Sequence, residues 1–145
     1  MVEMIPRIPY LVAFVCAIFA GGYLHELSHY FVGWVGQTEP EFQWRWWIFP
    51  VGVDHGRIET MDAKCIRLSG LSILVWAPIA IVMLTEFIGE WTPLRMFLFL
   101  IPVTVVISAS KSDIEAIRNP EKFRKKWMKE KYEGRMVFWP DALRF

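Results

Sequence analysis

Charge is missing from three long stretches of this 145-residue chain: Ile8 to Leu24, Leu68 to Thr85, and Met96 to Ser110. Soluble domains interleave charge with apolar residues, so these blocks argue against an ordinary soluble fold. Cysteine is nearly absent. Cys16 lies in an apolar run and Cys65 beside a polar segment, which excludes a disulfide framework. Asparagine occurs once, as Asn119. There is no internal repeat and no low-complexity stretch, so solenoid and compositionally disordered classes are also excluded.

Apolar and aromatic residues dominate what is there. Hydrophobic residues make up 54% of the chain, with 8 Trp and 11 Phe. Such rings collect at membrane–water interfaces. A membrane-spanning helix needs about 20 mostly apolar residues. The first run reaches that length if HELSHYFVGWV continues the same helix. The second reaches it alone, and the third needs Leu94, Arg95 and the SKSD segment. Pro78 and Pro102 fall inside the second and third spans, where neighbouring helices can satisfy the freed carbonyls. The N-terminal run is followed by HELSHYF, a poor cleavage site, so it reads as a retained span rather than a signal peptide.

Between the first two spans, EFQWRWWIFP and VGVDHGRIE are rich in β-forming residues. Pro50 and Gly52 are expected to separate them as a hairpin within residues 42–60. Trp44, Trp46 and Trp47 would anchor that hairpin at the headgroups. The expected fold is therefore an all-α membrane protein with three transmembrane helices and a short interfacial β-hairpin. A membrane-embedded core spans residues 1–117, and a basic cytoplasmic tail spans 118–145. The tail reads either as a helix lying on an anionic leaflet or as a solvated segment that only sets topology. Segment 36–67 carries four of the 16 Lys and Arg, and the chain after Ser110 carries ten. Three spans put both on one side, so the positive-inside rule places the N-terminus outside and the C-terminus in the cytoplasm.

The chemistry-bearing pattern is His25-Glu26-Leu27-Ser28-His29. Residues four apart share a helix face, so His25 and His29 can reach one metal ion. Glu26 projects to the side, where a carboxylate can act as general base on a metal-activated water. An ionisable group inside a span costs on the order of 2.5–3.5 kcal/mol and so usually marks function. A third ligand can be sought by depth. His25 lies 17 residues past Ile8, and Asp113 lies 19 past Leu94 on a helix running the same way. Those separations are roughly 25 and 28 Å of helical rise, so both reach the cytoplasmic side. Asp54, His55 and Glu115 stand on that side too and remain alternatives. Glu86 and Glu90 belong to the opposite face.

This layout resembles the site-2 protease family of intramembrane zinc metalloproteases. Members carry HExxH on one core span and an aspartate ligand on a later one. A glycine- or proline-marked span lies between, and a membrane-associated β segment often follows the HExxH helix. The matching residues here are His25 to His29, the expected hairpin, SGLSILVWAPIA, and ASKSDIEAI with Asp113, within roughly residues 8–118. The resemblance implies Zn²⁺ held by His25, His29 and Asp113, with Glu26 as catalytic base. It implies hydrolysis of peptide bonds in or near the transmembrane segments of membrane-protein substrates. The chain departs from the family in having Ser110-Lys111-Ser112 before Asp113, without the family's upstream asparagine, and Ile114 after it in place of glycine. A catalytically inactive relative that binds membrane partners is the alternative, and a small transporter using intramembrane His and Glu is a third class. The expected partners are the lipid bilayer and a membrane-protein substrate, with a homo-oligomer possible and no nucleic acid.

Overall fold

The residues after Arg7 form one continuous helix, α1 (Ile8–Val35). It is apolar almost all round: Leu11, Val12, Phe14, Val15, Ile18, Phe19, Leu27, Phe31 and Trp34 are all exposed. The buried stripe is made mostly of small or polar residues, among them Ala13, Ala17, His25 and His29, with Val32 near its C-terminal end. An amphipathic helix of a soluble domain does the reverse. The computed structural model describes residues 7–45, 49–87, 89 and 91–133. It is mostly helical, with a two-stranded antiparallel sheet. Two helical stretches are long and apolar enough to cross a membrane, and a third qualifies if a bent helix pair counts as one span.

The chain divides into two units, residues 1–25 with 73–109 and residues 26–72 with 110–145. In the first unit, α3 (Trp76–Phe87) packs on α4 (Pro93–Ile107). Thr92 caps α4, its hydroxyl accepting from the Arg95 N–H at 3.2 Å, and Pro93 follows at a position that needs no donor. Gly21 lets α1 and α4 approach. A Cβ there would stand 2.6 Å from Thr104 Cβ. The Tyr10 hydroxyl donates to the Trp91 carbonyl at 2.9 Å.

The second unit holds the rest of α1, the sheet, α2 (Ala63–Ser72), α5 (Lys111–Arg118) and α6 (Pro120–Tyr132). Val32, Ile58, Met61, Ile66, Ala116 and Phe123 form its buried core, with Cys65, Trp127 and Met128 packed around it. Gly70 brings α2 against α5. A Cβ on it would lie 2.6 Å from the Asp113 carbonyl and 2.8 Å from Ile117 Cγ1.

Three sequence expectations change. The hairpin exists, as β1 (Glu41–Arg45) paired with β2 (Phe49–Asp54), but Pro50 and Gly52 lie inside β2 rather than in its turn. The register runs Gln43 to Gly52 and then Trp44 to Pro50, a bulge that leaves Val51 over. A proline without an N–H is tolerated at such an irregularity. The expected anchors Trp46 and Trp47 lie outside the described residues, whereas Trp44 is exposed and rests against Phe42. The second apolar run is not one uniform helix. A 3₁₀ turn at Ile73–Val75 joins α2 to α3. Pro78 explains it, because it cannot donate to the carbonyl four residues back and the backbone tightens there. Nor does the third helix run unbroken to Asp113. It stops at Ile107 and restarts at Lys111.

Of the basic segment after Arg118, the described residues end at 133 and form α6, which packs on α2 and α5. Asn119 caps α6, and Phe123 of α6 turns inward onto the core of the second unit. Arg124 donates to the Met61 carbonyl at 2.7 Å, and Lys131 to the Gly56 carbonyl at 2.7 Å.

Two glycines give a paired test of this packing. Gly70→Ala should lower the thermal midpoint in detergent, by an amount equivalent to about 1–3 kcal/mol of overpacking. Gly22→Ala, where no atom lies within 4 Å of the added Cβ, should leave the midpoint unchanged or raise it by up to about 1 kcal/mol of helix propensity. Equal midpoints would show that α2 and α5 do not approach through Gly70.

Candidate metal centre

Helical periodicity puts His25 and His29 on one stripe of α1, and both are buried. Each has its Nδ1 engaged within its own unit. His25 Nδ1 lies 2.8 Å from the Ser108 hydroxyl, which itself donates to the Val105 carbonyl at 2.8 Å. The serine proton being spent there, Ser108 Oγ accepts from a His25 Nδ1–H. His29 Nδ1 lies 3.0 Å from Ser69 Oγ on α2. These contacts fix both rings with Nε2 as the nitrogen for a ligand bond. Metal-binding histidines are commonly oriented this way, through the nitrogen that does not bind metal.

Asp113 is placed by a helix cap. Ser110 is the N-cap of α5 and Asp113 its third residue, and the two form a reciprocal capping box. The Asp113 N–H donates to Ser110 Oγ at 3.2 Å. Asp113 Oδ2 accepts from the Ser110 N–H at 2.6 Å and from its hydroxyl at 2.7 Å. That leaves Oδ1, which stands 3.2 Å from His29 Nε2. One oxygen closes the helix while the other faces the imidazole.

His25, His29 and Asp113 each offer one ligand atom, and all three atoms lie within 4.8 Å of one another. Two imidazoles and a carboxylate suit a zinc ion that keeps a fourth position open. Ligand bonds of about 2 Å in a tetrahedron hold the ligand atoms roughly 3.3 Å apart, and the His29–Asp113 separation is already 3.2 Å. The residues present therefore fit such an ion. Glu26 adjoins His25 and is half-buried; among the described residues no hydrogen bond or ion pair engages its carboxylate.

The alternative ligands are accounted for in other ways. Glu115 pairs with Lys122 at 2.7 Å and Lys126 at 3.8 Å. Asp54 accepts from the Gly56 N–H at 2.9 Å and pairs with Lys131 at 3.3 Å. His55 is close by without joining the ligand group. Its ring stands perpendicular to that of His29, centroids 6.3 Å apart, and is walled by Trp127 at 5.4 Å and Phe123 at 6.5 Å. Burial pushes the His55 imidazole down to about 3, with His29 acting in the same direction, so it is neutral at any physiological pH. Lys111, two residues before Asp113, is exposed; Ser110 and His29 are the partners of the Asp113 carboxylate.

Sequence reasoning missed Ser69 and Ser108, which lie 40 and 83 residues from the histidines they orient. The S/T-x-x-D spacing from Ser110 to Asp113 was the readable signal for the capping box. Ser110→Ala should remove one of the two hydrogen bonds to Oδ2 and weaken any divalent-metal binding at this group about 10-fold or more, measured by competition with a chromogenic chelator. Unchanged affinity would mean that the backbone N–H alone holds the carboxylate.

No protein-family model, no curated protein and no solved structure matches this chain.

Proposed function

We propose that this protein is an intramembrane zinc metalloprotease, cutting peptide bonds in or beside the transmembrane segments of membrane proteins. One observation carries the reading: a buried His25, His29 and Asp113 group, spaced for one ion, in a chain whose helices are apolar enough to cross a membrane. The resemblance to the site-2 protease family adds the reaction. On this reading the N-terminus is outside, the C-terminus is cytoplasmic, and α6 lies on the cytoplasmic side.

A bound zinc would polarise the scissile carbonyl and lower the pKa of a coordinated water toward about 7. Everything else falls to the chain. His25, His29 and Asp113 hold the ion. Ser108, Ser69 and Ser110 fix the orientation of these three ligands. Glu26 takes the proton from the attacking water and passes it to the leaving amine. The substrate helix must unwind locally, since its carbonyls are otherwise hydrogen-bonded. Among the described residues the sheet has two strands, and an extended substrate could add along its edge.

The competing reading, an inactive relative that binds membrane partners, draws support from the single asparagine. Asn119 caps α6, its side chain accepting from the Lys122 N–H at 3.1 Å, so it does not stand in for the family's asparagine. Glu26→Gln separates the two readings. With a model single-span substrate co-reconstituted in liposomes, the proposal expects cleavage by wild type. The variant should lose about 10²–10⁴-fold in rate while zinc content stays the same. No cleavage by zinc-loaded wild type on a panel of such substrates would favour the binding protein.

A further inference from the structure

The His55 imidazole is held with more care than a packing residue needs. It follows β2 in a turn that is pinned at four points. Gly56 adopts φ +60°, and a Cβ there would stand 2.1 Å from the Thr38 carbonyl, so no other residue fits. The Asp54 carboxylate accepts from the Gly56 N–H at 2.9 Å. The Arg57 N–H donates to the Thr38 carbonyl at 2.8 Å. Lys131, from α6, donates to both Asp54 at 3.3 Å and the Gly56 carbonyl at 2.7 Å.

This frame buries His55, only 5% exposed, with its ring perpendicular to that of His29 and its other neighbours the rings of Phe123 and Trp127. Yet among the described residues its buried Nδ1 has no hydrogen-bond partner. A leucine or phenylalanine would fill such a niche without stranding a polar atom. Buried polar atoms in native structures nearly always find partners, and an exception beside a metal-ligating group calls for a missing one.

We propose that His55 is a hydrogen-bond donor of the active site, its imidazole N–H meeting the carbonyl oxygen of the scissile peptide as that oxygen gains negative charge. The inference rests on the hydrolase reading and adds a residue to it. Preorganised donors aimed at developing oxyanions commonly include histidine, and they act through a fixed position that needs no reorganisation during reaction. The pinned turn supplies that fixity. His55 keeps its proton throughout, because it donates a hydrogen bond and transfers nothing. It also occupies a role that no asparagine of this chain is placed to fill.

The test uses full-length protein in detergent, loaded with Co²⁺ in place of zinc and titrated with acetohydroxamate, an anionic oxygen ligand, while the visible spectrum is followed. His55→Phe keeps the aromatic packing and removes both nitrogens. His55→Asn keeps a side-chain N–H. The proposal expects both variants to bind one Co²⁺ as wild type does. It expects acetohydroxamate to bind His55→Phe about 10-fold or more weakly, the loss of roughly one hydrogen bond to a charged group, with His55→Asn recovering part of that. Equal acetohydroxamate affinity in wild type and His55→Phe would overturn it. Loss of Co²⁺ from both variants, each monodisperse and helical, would overturn it as well, since His55 would then be a ligand. A wild type that takes up no Co²⁺ would sink the metalloprotease reading first, and this inference with it.

Discussion

Asp113 uses its two carboxylate oxygens for two different purposes, and much of the second unit depends on that division. Oδ2 accepts from the backbone and hydroxyl of Ser110 and so starts α5. Oδ1 faces His29 on α1. A carboxylate taken out of water needs partners for every lone pair or it becomes costly. The capping box answers for one oxygen from within α5, at no expense to the other. The adjoining backbone is fixed from α2, where Gly70 leaves just enough room for the Asp113 carbonyl. Close helix packing, the helix start and the candidate metal centre therefore meet at one residue.

The same economy governs the histidines. Each imidazole has two nitrogens, and in each the Nδ1 is committed to a serine, Ser108 for His25 and Ser69 for His29. Polar rings of this kind inside apolar helices are costly unless their nitrogens find partners. A site that needed only to be buried would have been cheaper without them. Their arrangement, with serines behind and a carboxylate in front, is what a coordinated ion would make favourable.

The pairing of His25 with His29 was legible because helical periodicity is a local property: four residues on a long apolar helix return to the same face. Asp113 was less secure. Helical rise reaches its depth only along one unbroken helix, and the helix breaks between Ile107 and Lys111. The cap at Ser110, not the rise, orients its carboxylate. The hairpin was visible in composition, yet its turn was misplaced. Pro50 normally marks a turn, and here a bulge in a two-stranded sheet accepts it instead. The tail's charge suggested a surface role, while Phe123 and Trp127, spaced four apart, were the signal that α6 would also pack inward. Ser69, Ser108 and the setting of His55 could not be read at all. They depend on contacts between segments distant in the chain, and nothing local to a serine announces its partner.

The central claim is that three residues of this chain hold one metal ion. The most direct measurement is zinc per chain by atomic emission, on detergent-purified and monodisperse protein, in wild type beside single alanine variants. The account predicts about one zinc in wild type, lost in His25→Ala, His29→Ala and Asp113→Ala and retained in Asp54→Ala and Glu115→Ala. Well-folded wild type without zinc, or stoichiometric zinc that survives Asp113→Ala, would contradict it.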